Sequence, residues 1–131
     1  MTTLSSIPAV TTRWTEYRDE LAARYPALLP FFEQAARFPK IAVLFPFLSM
    51  GRLCFSRCTR YPFFVDFIVC VTSEGEFLVE RTDGRGGWVE GREIGRGDAA
   101  VATRLLVDSI PADYGAAIEG TGDDIRHDIV A

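Results

Sequence analysis

The sequence predicts an α+β domain: N-terminal helices, an antiparallel β-meander of three to four strands, and a C-terminal helix. Three observations carry this. Apolar residues from Trp14 to Ala35 recur every three or four positions, the period of a helix facing a core. From Arg52 to Glu90, short alternating or apolar runs are separated by turns rich in Gly, Pro and Asp, the pattern of successive hairpins. A last stretch of helical spacing, Val101 to Ser109, follows the capping residue Asp98.

Residues 1–12 are small and hydroxylated with no period, and read as a loose lead-in ending at Thr11 or Thr12. Trp14, Tyr17, Leu21, Tyr25, Leu28, Phe32 and Ala35 then form one stripe, with Arg13, Arg18, Asp19 and Arg24 largely opposite. Pro26 and Pro30 interrupt it. Proline is tolerated in a first turn but not in a helix interior, so the stripe divides into helices near 12–25 and 29–37, the second ended by Phe38-Pro39. An extended run from Ile41 to Leu48 leads into the turn Ser49-Met50-Gly51. A strand from Arg52 to Cys58 follows, then Pro62, then the nearly continuous apolar run Phe63 to Thr72, which predicts a strand covered on both faces or central in its sheet. Ser73-Glu74-Gly75-Glu76 is a hairpin turn into Phe77 to Thr82. Asp83 to Gly87 is a second turn before Trp88 to Glu90, and Gly95-Arg96-Gly97 reads as a flexible approach to the Asp98 cap. The segment from Asp113 onward is rich in Gly and Asp and is expected to fray, with 115–131 as a loose terminus of a single domain spanning 1–131.

Composition excludes several function classes. A chain of 131 residues is expected to bury roughly 65–70% of its unfolded surface, enough for a core without metals or disulfides. A formal charge of −4 gives no electrostatic footprint for a nucleic-acid backbone. The apolar run at Phe63 to Val71 contains Asp66 and falls far short of the roughly 18–20 residues of a membrane span. His127, the single histidine, lies in the polar tail, which leaves Ser/His/Asp and Cys/His mechanisms little to work with. Cys54, Cys58 and Cys70 contain no C-x-x-C pair, so zinc is disfavoured, and their odd number with a polar start at Met1 to Ser6 points to a reducing cytoplasm. Thirteen arginines against the single Lys40 suit anion recognition, although a GC-rich coding sequence produces the same bias.

The densest polar and aromatic cluster is Ser56-Arg57-Cys58-Thr59-Arg60-Tyr61. Two guanidiniums, hydroxyls, a thiol and a phenol at a strand end between Phe55 and Phe63 suit a carboxylate or peptide carbonyl in an apolar pocket. The alternative is a polar strand end whose arginines pair with Asp66 or Glu80. Cys58 is the thiol with cationic neighbours, Arg57 and Arg60, but a buried cysteine more often acts as a small hydrophobe. Glu80 and Glu90 face each other across the second hairpin, and Glu33 lies on an aromatic helix; such carboxylates are usually solvated. Phe45, Phe47, Tyr61, Phe64 and Trp88 lie near bends of the chain, where they either line a cavity or belong to the core. Gly95-Arg96-Gly97 lacks the Lys-Ser/Thr that completes a phosphate loop.

From Leu44 through Phe-Pro-Phe-Leu-Ser-Met-Gly-Arg-Leu-Cys-Phe-Ser-Arg-Cys-Thr-Arg-Tyr to Pro62, the chain resembles a family of small actinobacterial proteins, a domain of unknown function from natural-product gene clusters. Phe38-Pro39, the Gly75 hairpin, Ala99-Ala100 and Ile110-Pro111 are similar to its other landmarks, so the resemblance covers residues 28–115. The family includes the lysinoalanine-forming proteins of cinnamycin- and duramycin-type lantibiotic pathways. The resemblance implies an aza-Michael addition in which a substrate lysine amine attacks a dehydroalanine, without metal, nucleotide or other cofactor, and with a base supplied by the substrate peptide. It implies a modified lanthipeptide precursor as partner and a homodimer. On this expectation Arg57 and Tyr61 are the catalytic candidates. Phe45, Phe47, Arg60, Phe64, Glu80 and Trp88 are the substrate-binding ones. The competing expectation is a non-catalytic protein that sequesters a peptide for self-protection in the same aromatic pocket.

Overall fold

A computed structural model describes residues 6–82 and 91–125. Helix α1 (Pro8–Arg24) opens with proline in its first turn, where the missing N–H costs nothing. It ends at Tyr25, beyond which Pro26–Leu28 forms a 3₁₀ turn and Leu29–Ala35 the helix α2, again with proline in the first turn. The division at Pro26 and Pro30 follows the expectation. The start differs, because Pro8 nucleates the helix inside the stretch expected to be a loose lead-in. A short helix α3 (Pro39–Ala42) precedes the sheet.

The sheet has five antiparallel strands in sequential order: β1 (Phe45–Ser49), β2 (Arg52–Ser56), β3 (Val65–Val71), β4 (Phe77–Arg81) and β5 (Arg92–Gly97). The meander is as expected but longer than three to four strands. Strand β1 grows from the extended run before Gly51, and its Pro46 is admissible because β1 is an edge. Strand β5 takes up the Gly95-Arg96-Gly97 stretch expected to be a loop. The glycines mark close packing instead: a Cβ at Gly97 would lie 2.5 Å from Val101 Cγ1, and one at Gly95 would lie 2.9 Å from Leu105 Cδ1. Helix α4 (Ala99–Ser109) therefore lies directly on β5, starting at Asp98, whose side chain accepts from the Val101 N–H at 2.9 Å. The turn expected at 83–87 and the strand at 88–90 fall outside the described residues.

Cross-strand register fixes which side chains share a face. Leu53, Val69, Val79 and Gly95 stand opposite one another and face α4, while Phe47, Cys54, Ile68 and Glu80 stand together on the other face. The helix-side core is aromatic. Trp14 stacks on Phe32 with centroids 4.5 Å apart and lies 6.1 Å from Phe55, and Phe31 bridges Phe55 and Phe77. The same α1 stripe closes the β1 edge. Trp14 Nε1 donates to the Leu44 carbonyl and Arg13 Nε to the Pro46 carbonyl, both at 2.8 Å, while the Tyr17 hydroxyl accepts from the Leu48 N–H. Side chains thus occupy the backbone groups through which an edge would pair with another chain.

The terminal segment expected to be loose is docked as far as residue 125. The Ala117 N–H donates to Val43, Ile118 to Arg57 and Gly122 to Pro62, while Gly120 accepts from the Arg60 N–H. Ile125 is buried against Cys58 and Phe64. This segment straps down the loop that follows β2, and its backbone bonds are invisible to a reading of side-chain pattern. No helix of the described residues is long and apolar enough to cross a membrane.

Candidate functional site

Residues 57–64 form the loop between β2 and β3, and a single hydroxyl organises it. Ser56, fully buried, donates to the Cys58 carbonyl at 2.8 Å and accepts from the N–H groups of Cys58 (3.1 Å) and Phe64 (3.4 Å). The Cys58 thiol is enclosed with it, donating towards the carbonyls of Arg60 and Pro62 at 3.6 Å. A fully buried sulfur in these contacts behaves as a small core group. Phe64 points into the same small cluster with Ile125, which places it in the core beneath the loop and away from any wall.

The other side of the loop builds a groove. Phe63 stacks on Phe47 at 4.3 Å and on Phe45 at 6.1 Å, and Tyr61 meets Phe63 edge-on at 6.3 Å. Phe47, Tyr61 and Phe63, together with Leu48, Ser49, Met50, Pro62, Val65, Ile68 and Thr82, bound about 640 Å³ on the sheet face turned away from the helices. No charged side chain is among the described lining residues. Met50, at the β1–β2 turn with φ +52°, is 92% exposed, and Tyr61 is 80% exposed. Two large side chains in water beside an apolar wall give the groove an open mouth, with Tyr61 supplying the phenol.

Of the expected substrate residues, the groove gathers Phe47 and Tyr61, and Phe45 lies behind them against Phe63. Arg60 is exposed on the loop, with its N–H bonded to Gly120. Glu80 is opposite Ile68 and Glu93, beside Gly91 and off the groove wall. Trp88 and Glu90 lie outside the described residues. Glu33 pairs with Arg18 at 3.2 Å on the surface, an ordinary solvated ion pair.

Arg57 lies apart from the groove lining. Its guanidinium stands 4.8 Å over the Tyr114 ring, and the Tyr114 hydroxyl donates to Asp66 Oδ2 at 2.6 Å. Burial and the adjoining Asp66 carboxylate push the Tyr114 phenol far above its ordinary range. The expected alternative for the arginines, ion pairs with Asp66 or Glu80, does not occur: Arg57 and Arg60 have no salt bridge among the described residues. Tyr114 was not among the expected site residues, although its being the lone aromatic between Pro111 and the end of the sequence is a readable signal. Burial also raises the thiol of Cys54, to about 12, and that of Cys70. Among the described residues no group of His, Cys, Asp and Glu could hold a metal ion.

A five-stranded antiparallel meander, backed by helices on one face and carrying on the other a groove whose described lining is uncharged, defines a small single-sheet α+β domain whose marked feature is an exposed apolar wall. The chain belongs to the family of unknown function DUF6193, whose model matches residues 8–121. The match takes in the strap at 117–121 as well as the loop it holds. No curated protein and no solved structure matches the chain.

Proposed function

We propose that the protein matures a natural-product peptide, seating an apolar, thioether-bridged segment in the groove and promoting closure of a lysinoalanine crosslink. The observation that carries this reading is the uncharged aromatic wall of Phe47, Phe63, Pro62 and Ile68 with the Tyr61 phenol at its mouth. Aza-Michael addition asks for little more. The lysine Nζ lone pair forms a bond to the dehydroalanine Cβ, and the π electrons move onto the carbonyl as an enolate. The amine loses one proton and Cα gains one, so atoms and electrons balance without a redox partner. Holding amine and alkene together supplies most of the acceleration, and a wall free of charge favours the neutral, nucleophilic amine over the ammonium. Tyr61 donates a hydrogen bond to the carbonyl oxygen as charge develops there. None of the described groove residues is a carboxylate or histidine, which agrees with a base supplied by the peptide.

That same lack of an acid or base also suits a second reading, sequestration of a finished or partly finished peptide. Incubation with a dehydrated, thioether-cyclised cinnamycin-type peptide lacking the crosslink separates the two. Crosslinking removes the peptide's reactivity towards thiols and its tryptic cleavage at lysine without a change in mass. Binding with the dehydroalanine still thiol-reactive after release supports sequestration, and absence of binding overturns both readings.

A further inference from the structure

Among the described residues, half-buried cations are compensated, with one exception. Lys40 Nζ donates to the carbonyls of Val107 (3.1 Å) and Ile110 (2.7 Å) at the end of α4. Arg13, over the rings of Tyr17 and Phe45, donates through Nε to the Pro46 carbonyl. Arg57 is also half-buried, yet its side chain makes no hydrogen bond or salt bridge to the described residues, and its Nε is buried without a partner. Leaving the donors of a half-buried guanidinium unbonded is costly, and its Nη groups, which are not among the sealed atoms, are open to an acceptor from outside the described residues.

From this geometry we propose that Arg57 is the binding group of a carboxylate site, with Tyr114 as its positioning residue. A ring beneath a guanidinium fixes its plane without using any N–H, which leaves the in-plane Nη donors of the fork for a ligand. Asp66 strengthens that support: accepting the Tyr114 hydroxyl at 2.6 Å, it makes the ring face more electron-rich and fixes its orientation. Phe67, edge-on to Tyr114 at 5.6 Å, holds the ring from the sheet. The backbone of Arg57 is pinned from both sides, its N–H to Phe64 and its carbonyl from Ile118, each at 2.9 Å. Gly115, which needs glycine for its φ of +83°, lies beside the fork: a Cβ there would be in ordinary contact with Nη2 at 3.8 Å.

The ligand class follows from charge and shape. A planar carboxylate matches two parallel N–H groups of the fork. The negative charge of Asp66 one ring away disfavours a dianion such as phosphate more than a monoanion. This site lies off the groove wall and does not depend on lysinoalanine chemistry.

The test uses the ¹⁵N-labelled full chain, with the Arg57 Nε–H resonance assigned by its loss in Arg57→Lys. Sodium acetate is titrated at constant ionic strength against chloride. The site predicts a saturable shift at Arg57 that exposed Arg92 and Arg104 do not share. It predicts weaker saturation by phosphate at the same pH. In Tyr114→Leu, acetate affinity falls by about tenfold, the worth of a partly desolvated cation–π contact. Tyr114→Phe, which keeps the ring, retains saturable binding. Should Tyr114→Leu fail to fold, the Tyr114 ring protons serve instead: they shift saturably with acetate in the native chain and not in Arg57→Lys. A shift linear in acetate, reproduced by chloride, or shared by all arginines would show the guanidinium to be purely structural. Equal or tighter saturation by phosphate would overturn the carboxylate assignment.

Discussion

Phe63 stacks on Phe47 with ring centroids 4.3 Å apart, so the loop after β2 and the edge strand β1 share one aromatic wall. Phe63 is half-buried and Phe47 buried, which means the loop residue supplies the accessible surface and the strand residue its backing. Phe63→Ala is expected to cost roughly 2 kcal/mol in urea denaturation, less than a fully buried phenylalanine because part of the ring faces water. Binding of the peptide should weaken far more than stability, since the groove loses one wall. Binding unchanged in a folded Phe63→Ala chain would remove the groove from the functional reading.

The Ser56 hydroxyl touches three backbone groups of the same loop. Ser56→Ala leaves the Cys58 and Phe64 N–H groups without this acceptor, an expected loss of about 2 kcal/mol. Hydrogen exchange at Cys58 should accelerate well beyond exchange at β3 residues such as Val69. Equal acceleration across the sheet would mean that the hydroxyl supports the whole fold rather than the loop.

Much of the helix-side architecture is legible from residue type and spacing. The stripe from Trp14 to Leu21, the prolines that divide α1 from α2, the Gly75 turn and the Asp98 cap each follow from a local rule. The site is legible only in part. Phe47 and Tyr61 meet in the groove, but Phe64 turns under the loop and Arg57 turns to Tyr114, because two residues adjacent in a loop need not share a side. The strap at 117–122 is held largely by backbone bonds, which carry no side-chain signature, and so a segment rich in Gly and Asp reads as loose. Gly95 and Gly97 mislead for a related reason: the side chains that require them belong to α4.

That contact makes a direct prediction. In Gly97→Ala the new Cβ would lie 2.7 Å from Val101 Cβ, an atom that no change of rotamer can move away. Helix α4 must shift or β5 must bend, at an expected cost of about 1–3 kcal/mol in denaturation. A compensating Val101→Gly should recover much of that loss, beyond its own helix-propensity penalty of about 1 kcal/mol. Additive destabilisation in the double variant would show that the two residues do not press on each other.

Alkaline pH should destabilise the protein through groups that folding keeps protonated. Burial raises the Cys54 thiol from 9.0 to about 12, and the Tyr114 phenol is raised above 10.0 by burial and by Asp66. For a group whose folded value is raised, the native state holds the proton more tightly, so its contribution is complete below the unfolded value and is lost as pH climbs towards the folded one. The unfolded Cys54 thiol ionises above about pH 9, while the native thiol stays neutral until about 12. Between those limits each such group draws the equilibrium towards the unfolded chain by up to about 1.4 kcal/mol per pH unit. Urea midpoints should therefore be flat from pH 7 to 8.5 and fall steeply from 9 to 11. Cys54→Val should flatten the first part of that fall, and Tyr114→Phe the part above 10, although each variant starts from a lower stability at neutral pH. A native-like slope in both variants would place the alkaline sensitivity in other groups and remove Cys54 and Tyr114 as its source.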